Sequence, residues 1–323
     1  MNEPFVSIVI PAFNAGLTLE ETIEACLGQD YLKGRIEIVV VDDGSLDNTR
    51  QVAARFPVRY IYQDRKGPAA ARNIGWRDSK GDAVCFTDAD CVPYEDWVSK
   101  LVQHYGKDDV GAVAGSYAVD SSRYLLDKFV HFEIRYRHSM MPMYINSFGT
   151  YNVLLKRAAL EKLNGFDSEY SHASGEDSDL SYRLIRQGYR IYFEKDALVG
   201  HGNILRFWRY VLVQFRHGYW RMKIYRKNYS MITRDDYGYW KDFAEVFLVL
   251  ALLFLFPIGR VKGLVAGGLA LVLFMIQLPL ALRISFKERD FRYAAFSIVT
   301  FIRVFVRIAG GIIGFIRFWI IRK

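Results

Sequence analysis

The spacing of apolar residues changes along this chain, and the changes divide it into regions of different kind. Residues 5–11 and 36–41 are short unbroken runs rich in Val and Ile, the pattern of strands buried on both faces. Between them Leu19, Ile23 and Leu27 recur at i, i+4 and i+8, which predicts an amphipathic helix over 17–27. A strand follows at about 58–62, a helix at about 69–77, and a fourth strand at Ala83-Val84-Cys85-Phe86-Thr87. This alternation predicts a Rossmann-like, doubly wound α/β fold with a mostly parallel sheet. Ligands of such sheets sit beyond the carboxyl ends of the strands. The loops expected there are Pro11-Ala12-Phe13-Asn14, Asp42-Asp43-Gly44-Ser45 and Asp88-Ala89-Asp90. Three polar loops at one edge suit a ligand of nucleotide size.

Residues 110–155 are less regular, with strands expected near 110–119 and 150–155 and a helix or loop between. A helix over 156–163 should end at the C-cap pair Asn164-Gly165. Another begins near Glu176, buries Leu180 and Leu184, and stops at Gly188 before a strand at Tyr189–Phe193.

Past residue 240 the pattern is that of a chain in lipid. Residues 246–258 carry no charge; Phe243 and Ala244 lengthen the run, with Glu245 near its end. Residues 263–282 are also uncharged and long enough to cross the hydrocarbon at about 1.5 Å per residue. Arg260 and Lys262 mark the turn, so a membrane hairpin of about 243–259 and 263–282 is expected. A third apolar stretch, about 293–321, places Arg303, Arg307, Gly310, Gly314 and Arg317 on one helical stripe. An arginine at the bilayer centre costs roughly 3 kcal/mol on insertion scales. An interfacial helix with the stripe toward headgroups avoids that cost and is the expectation here. The connector carries Arg283, Lys287, Arg289 and Arg292, which puts it on the cytosolic side together with the first domain.

Charge sharpens the division. The net charge is +8, and residues 206–234 hold Lys and Arg with no acidic residue, interleaved with Phe207, Trp208, Tyr210, Phe215, Tyr219, Trp220, Tyr225 and Tyr229. Cations and aromatic rings beside apolar spans suit a membrane interface. No DNA- or RNA-binding motif accompanies them, so nucleic acid is not an expected partner. Cys26, Cys85 and Cys91 have unrelated spacings and predict reduced thiols, with Cys85 in the core. The N-terminal apolar run is too short for a signal peptide, and residues 1–240 are expected in the cytosol. The expected organisation is a domain at 1–204, basic aromatic interfacial helices at 205–240 and a membrane region at 241–323.

Candidate chemistry begins at Asp88-Ala89-Asp90. A strand ending in two carboxylates one residue apart aims both at a common point, and hard divalent cations prefer such oxygen ligands. A turn or helix cap is the plainer reading of the triplet taken alone. In order along the chain come Ser7-Ile8-Val9-Ile10-Pro11-Ala12-Phe13-Asn14, Val41-Asp42-Asp43-Gly44-Ser45, Gly67-Pro68-Ala69-Ala70-Ala71-Arg72-Asn73, Asp88-Ala89-Asp90 and Gly175-Glu176-Asp177. This series resembles the family-2 glycosyltransferases of GT-A fold, over about residues 1–200. The resemblance implies an inverting enzyme that uses a nucleotide-diphosphate sugar, a UDP-sugar first, with Mg²⁺ or Mn²⁺.

By that resemblance Asp43 accepts a hydrogen bond from the nucleobase, with Pro11, Ala12, Phe13 and Asn14 lining the base pocket. Asp42 or Asp43 could instead cap a helix starting near Asp47. Arg72 is implied at the diphosphate, where a guanidinium can bind two oxygens, against the alternative of a solvated helix arginine. Asp88 and Asp90 are implied at the metal-binding positions, Asp90 as the direct ligand and Asp88 also as a contact to ribose or base, with His201 as a third ligand. A structural histidine is the alternative for His201. Asp177 is implied as the base that deprotonates the acceptor and Glu176 as the residue orienting it, with Asp179 in reserve. Ser174-Gly175-Glu176-Asp177 equally reads as a capping box. Gln214-Phe215-Arg216-His217-Gly218-Tyr219-Trp220 departs from the Q-x-x-R-W element of processive synthases, which favours transfer of one residue. The expected function is a glycosyltransferase in the cytoplasmic membrane acting on a hydroxyl of a polyprenyl-linked glycan. Two alternatives stand beside it: a polyprenyl-phosphate acceptor, which needs no base, and a non-catalytic membrane scaffold.

Overall fold

The computed structural model describes residues 3–118, 124–170, 172, 175–201, 207–229, 240–254 and 260–321. The chain forms two compact units, one of Met1–Ser122 with Ile134–Asn203, the other of Arg123–Glu133 with Ile204–Lys323.

The first unit is built on one sheet. Its elements run β1 (Val6–Ala12), α1 (Leu19–Leu27), β2 (Ile36–Asp43), α2 (Thr49–Ala53), β3 (Arg59–Gln63), α3 (Pro68–Asp78), β4 (Ala83–Phe86), β5 (Cys91–Pro93), α4 (Trp97–Val102) and β6 (Val110–Tyr117). Helix α5 (Leu125–His138) follows, then β7 (Tyr144–Ile145), β8 (Val153–Lys156), α6 (Arg157–Leu163), α7 (Glu176–Arg186) and β9 (Arg190–His201). The strand order is β3-β2-β1-β4-β8-β6-β9-β5, with β7 paired to β9. Strands β3, β2, β1 and β4 are parallel, as expected of apolar strands joined by crossover helices. Strand β8 runs antiparallel to both β4 and β6, so the second half of the sheet is mixed. Two clusters cover its faces, one around Ile8, Val40, Cys85 and Trp97, the other around Val9, Phe86, Leu155 and Leu180. Ile8, Val9 and Val40 are fully buried, each burial being worth about 2 kcal/mol.

Short elements were the ones the sequence pattern missed. Strands β5 and β7 have three and two residues and carry too little periodicity to read. The strand expected at Tyr189–Phe193 continues to His201, because the register shift between Ala114 and Ser116 lets it rejoin β6 at Leu198. The C-cap at Asn164-Gly165 is present, with both residues at positive φ.

The second unit is helical: α8 (Phe207–Lys227), α9 (Trp240–Phe254), α10 (Arg260–Met275), α11 (Leu278–Lys287), a 3₁₀ segment (Phe291–Ala295), α12 (Phe296–Phe315) and a terminal π-helical stretch (Ile316–Ile321). Among the described residues two stretches are long and apolar enough to cross a membrane, Lys262–Lys287 and Phe291–Ile321. The first reaches beyond the expected 263–282 and takes in Arg283 and Lys287. The far end of the other expected hairpin arm, residues 255–259, lies outside the described residues, as does much of the basic segment beyond 229.

Two arginines of the stripe are engaged by other helices of the same unit, which the sequence reading did not foresee, while Arg317 is exposed. Arg303 is buried and bonds Glu133 of α5 at 2.6 Å, and the Arg307 Nε–H donates to Gln214 of α8 at 2.7 Å. Further along, a Cβ on Gly310 or Gly314 would come within 2.1 or 2.3 Å of the Phe215 or Tyr219 carbonyl oxygen. Arg307, Gly310 and Gly314 therefore lie on the face that docks α8, with the backbones in close approach, as small residues permit between apolar helices. The insertion cost expected for bare arginines does not apply to Arg303, which is paired and nearly closed to solvent.

Candidate active site

The carboxyl ends of β1 and β2 carry two loops that tie each other down. Asn14, at φ 49°, donates its backbone N–H to Ser45 Oγ at 2.8 Å and accepts the Leu46 N–H at 2.9 Å. The N–H groups of Ala15 and Gly16 donate to Thr49 Oγ1 and Asp47 Oδ2. In the Pro11–Asn14 loop Ala12 is buried, while Phe13 is exposed with the Arg65 guanidinium 3.9 Å over its ring.

The two adjacent aspartates have separate tasks. Asp42 accepts the Ser45 N–H and the Tyr60 hydroxyl, at 2.8 and 2.6 Å. Asp43 is buried and accepts from Gln63 Nε2, the Lys66 N–H and the Gly67 N–H, at 2.5, 2.7 and 2.9 Å. It thereby fixes the chain entering α3. These donors fill about three of the roughly four lone-pair sites of a carboxylate, leaving room for one more. Neither residue caps α2; Thr49 at its start donates instead to Asp47.

Helix α3 carries Arg72 into the interior. Its Nη1 donates to Glu176 Oε1 at 2.8 Å and its Nη2 to Asp88 Oδ1 at 2.7 Å. The side chain is 2% exposed, so rather than opening to a diphosphate it bridges two acidic loops. Burial alone would pull its pKa down; the Asp88 and Glu176 charges outweigh burial and raise it. Its Nε is buried with no hydrogen-bond partner.

Asp90 and His201 meet across the far edge of the sheet. The chain leaves β4 and enters β5, which pairs antiparallel with the end of β9 so that Cys91 faces His201 in register. His201 Nε2 lies 3.5 Å from Asp90 Oδ1. Asp90, Cys91 and His201 form a group whose ligand atoms lie within 4.8 Å of one another. Carboxylate oxygen with imidazole nitrogen fits Mn²⁺ or a related divalent cation. The Cys91 thiol is fully buried, and burial pushes its pKa up, which holds it protonated and disfavours it as a ligand.

The first turn of α7 holds the remaining candidates. Gly175, at φ 107°, is the N-cap; Ser174 of the expected capping box lies outside the described residues. Glu176 is buried against Arg72, whereas Asp177 keeps partial exposure and accepts the Ser178 N–H at 2.7 Å. Burial, and then the Glu176 charge, push the Asp177 pKa up to about 7. Asp179 bonds Arg183 at 2.8 Å, and Arg183 also holds the Leu163 and Gly165 carbonyls. That commitment makes Asp179 structural and removes it as a reserve base.

Residues 7–162, which contribute the candidate site residues except His201, Glu176, Asp177 and Asp179, match Glycosyl transferase family 2. That stretch is thus similar in sequence to family 2 glycosyltransferases. The chain is 32% identical over 212 residues to the probable glycosyltransferase YdaM of Bacillus subtilis, covering 60% of this chain and 50% of that protein. It is 28% identical over 211 residues to glycosyltransferase AglE of Haloferax volcanii, covering 61% and 67%. The chain thus matches about half the length of the first relative and two thirds of the second. Among solved structures, mannosyltransferase PcManGT of Pyrobaculum calidifontis, in complex with GDP-Man and Mn²⁺, is similar with a TM-score of 0.62 and 22% identity, covering 97% of this chain and 88% of that one. The sheet and its helices thus have the GT-A architecture.

Within the matched stretch one residue escaped the sequence reading. Asn152 accepts the Trp97 Nε1–H at 2.7 Å and donates to the Ser116 and Ala197 carbonyls at 2.9 Å. It ties the start of β8 to β6 and β9. The only local signal was a polar residue opening the apolar run Val153-Leu154-Leu155.

Proposed function

We propose that this chain transfers a single sugar, with inversion, from a nucleotide-diphosphate sugar to a hydroxyl of a lipid-linked glycan. The observation that carries the proposal is the Arg72 bridge. One buried guanidinium grips Asp88 after β4 and Glu176 at the head of α7, so donor-side and acceptor-side carboxylates share one site.

Asp90 and His201 would hold the divalent cation, Mg²⁺ or Mn²⁺, with Asp88 beside them toward the ribose. When bound, the cation neutralises the diphosphate and stabilises charge on the leaving group. The Pro11–Asn14 loop and the remaining lone pair of Asp43 border the base, and a UDP-sugar is the first donor to test. Asp177 takes the acceptor proton as the hydroxyl attacks C1 from the face opposite the diphosphate. A carboxylate raised toward neutral pH is suited to that step. Glu176, fixed by Arg72, keeps the acceptor end of the site in place. Two long apolar helices and the acid-free helix α8, with Arg209, Arg226 and Lys227 exposed, support a site at the cytoplasmic membrane facing the cytosol.

A donor screen reading nucleotide release from the detergent-solubilised chain tests the proposal. Release with one nucleotide sugar, lost on chelation and in Asp90→Ala, is expected. Metal-independent nucleotide binding without release would leave only a binding scaffold. Near-full activity of Asp177→Asn would point to a phosphate acceptor in place of a hydroxyl.

A further inference from the structure

The same sheet edge carries aromatic rings that the proposed chemistry leaves unused. Tyr117 closes β6 and Tyr151 precedes β8. Because β8 runs opposite to β4 and β6, both tyrosines come to the edge where Asp88-Ala89-Asp90 leaves β4. Their rings stack with centroids 4.0 Å apart and planes 16° from parallel.

The stack has fixed neighbours. Tyr117 meets His201 edge-on at 5.9 Å, and His201 is the residue 3.5 Å from Asp90. His138 lies nearly parallel to Tyr117 at 6.2 Å, held by Ser116 Oγ at 2.9 Å. Gly149 adjoins Tyr151, and a Cβ there would come within 2.4 Å of the ring. Next to Gly149, the Phe148 N–H donates to Ser181 Oγ at 3.1 Å, and Ser147 Oγ pairs with Ser178 Oγ at 3.1 Å. Both serines belong to the helix that begins with Glu176 and Asp177. The tyrosines therefore stand in the interval between the Asp90–His201 pair and the candidate base, and both remain partly exposed.

We propose that Tyr117 and Tyr151 form a platform for the pyranose ring of the donor sugar, with Tyr151 the main contact. A pyranose presents C–H groups of slight positive charge, and an aromatic face is the negative side of its quadrupole. The base side of the site lies on the other flank of β4, with Phe13 and Arg65 at the end of β1. The tyrosine stack is thus placed for the sugar and not for the nucleobase. The inference rests on the nucleotide-sugar reading, and its test separates the two.

Isothermal titration of the full detergent-solubilised chain with Mn²⁺ uses UDP against UDP-glucose and GDP against GDP-mannose. In the wild type one nucleotide sugar should bind tighter than its own diphosphate. Tyr151→Ala is expected to weaken the sugar nucleotide by about fivefold or more while leaving the diphosphate unchanged, and Tyr151→Phe to keep both. Equal loss of both ligands, or no loss of either, overturns the platform, since a ring with only a packing role gives one or the other. Wild-type protein that binds neither diphosphate overturns the donor reading itself and the platform with it.

Discussion

Arg72 in the sheet unit and Arg303 in the helical unit are both buried arginines bonded to carboxylates, and their surroundings differ. Arg303 and Glu133 are each 6% exposed and 2.6 Å apart, a sealed pair. Arg72 has two carboxylate partners, of which Asp88 is 34% exposed, and it retains an unpaired Nε. A sealed pair can be exchanged for apolar side chains with little loss, whereas removing one partner leaves a buried charge uncompensated. The open arrangement cannot be exchanged in that way. Without Arg72, Asp88 and Glu176 become unneutralised like charges in one site. The first arrangement fastens helices; the second keeps acidic groups together where a ligand can reach them.

The largest effect that could break this contrast lies at the open end. Asp90→Ala should abolish metal-dependent nucleotide binding and lower transfer by about a thousandfold, read by titration and nucleotide release. A variant that still binds nucleotide in a metal-dependent way would remove Asp90 from the site.

Next comes Asp177→Asn, with transfer down about a hundredfold and nucleotide diphosphate affinity unchanged. In the wild type, activity should rise as pH climbs through about 7, where Asp177 ionises, and the variant should lack that rise. The stability sign is opposite. A raised carboxyl pKa favours the folded state below the ordinary carboxylate range and loses that contribution as pH rises through about 7. Asp177→Asn should therefore melt higher than wild type at pH 8.

The arginines themselves follow. Arg72→Met should cost about 3–5 kcal/mol in thermal unfolding, and no single partner change should restore it. Arg303→Met should cost a similar amount, but the pair Arg303→Met with Glu133→Leu should recover most of it. Equal behaviour of the two sites would end the distinction drawn between them. The smallest effect is expected at the α8–α12 contact. Gly310→Ala places a Cβ against the Phe215 carbonyl, which cannot swing aside, and should cost about 1–3 kcal/mol.

Much of the sheet unit was legible in the chain's own periodicity. Strands β1, β2, β3 and β4 and helices α1, α3, α6 and α7 follow from local spacing of apolar residues, and the acidic loops follow from where those strands end. The irregular stretch 110–155 was opaque for a physical reason. Its strands β7 and β8 are short, and its helix α5 gives its first residues to the other unit. The Tyr117–Tyr151 stack and Asn152 are visible only once β8 is known to run antiparallel between β4 and β6.

The sequence alone determined the longer strands and helices of the sheet unit and the long apolar stretches, and that two aspartates one residue apart follow β4. Those properties depend on neighbours within a few residues, which periodicity records. Tertiary structure decided which carboxylates each arginine meets. Arg72 finds Glu176 across 104 positions and Arg303 finds Glu133 across 170. Such partners are chosen by how strands and helices cross in space, so two arginines of the stripe became protein contacts, and an arginine expected at phosphate became the bridge between two acidic loops.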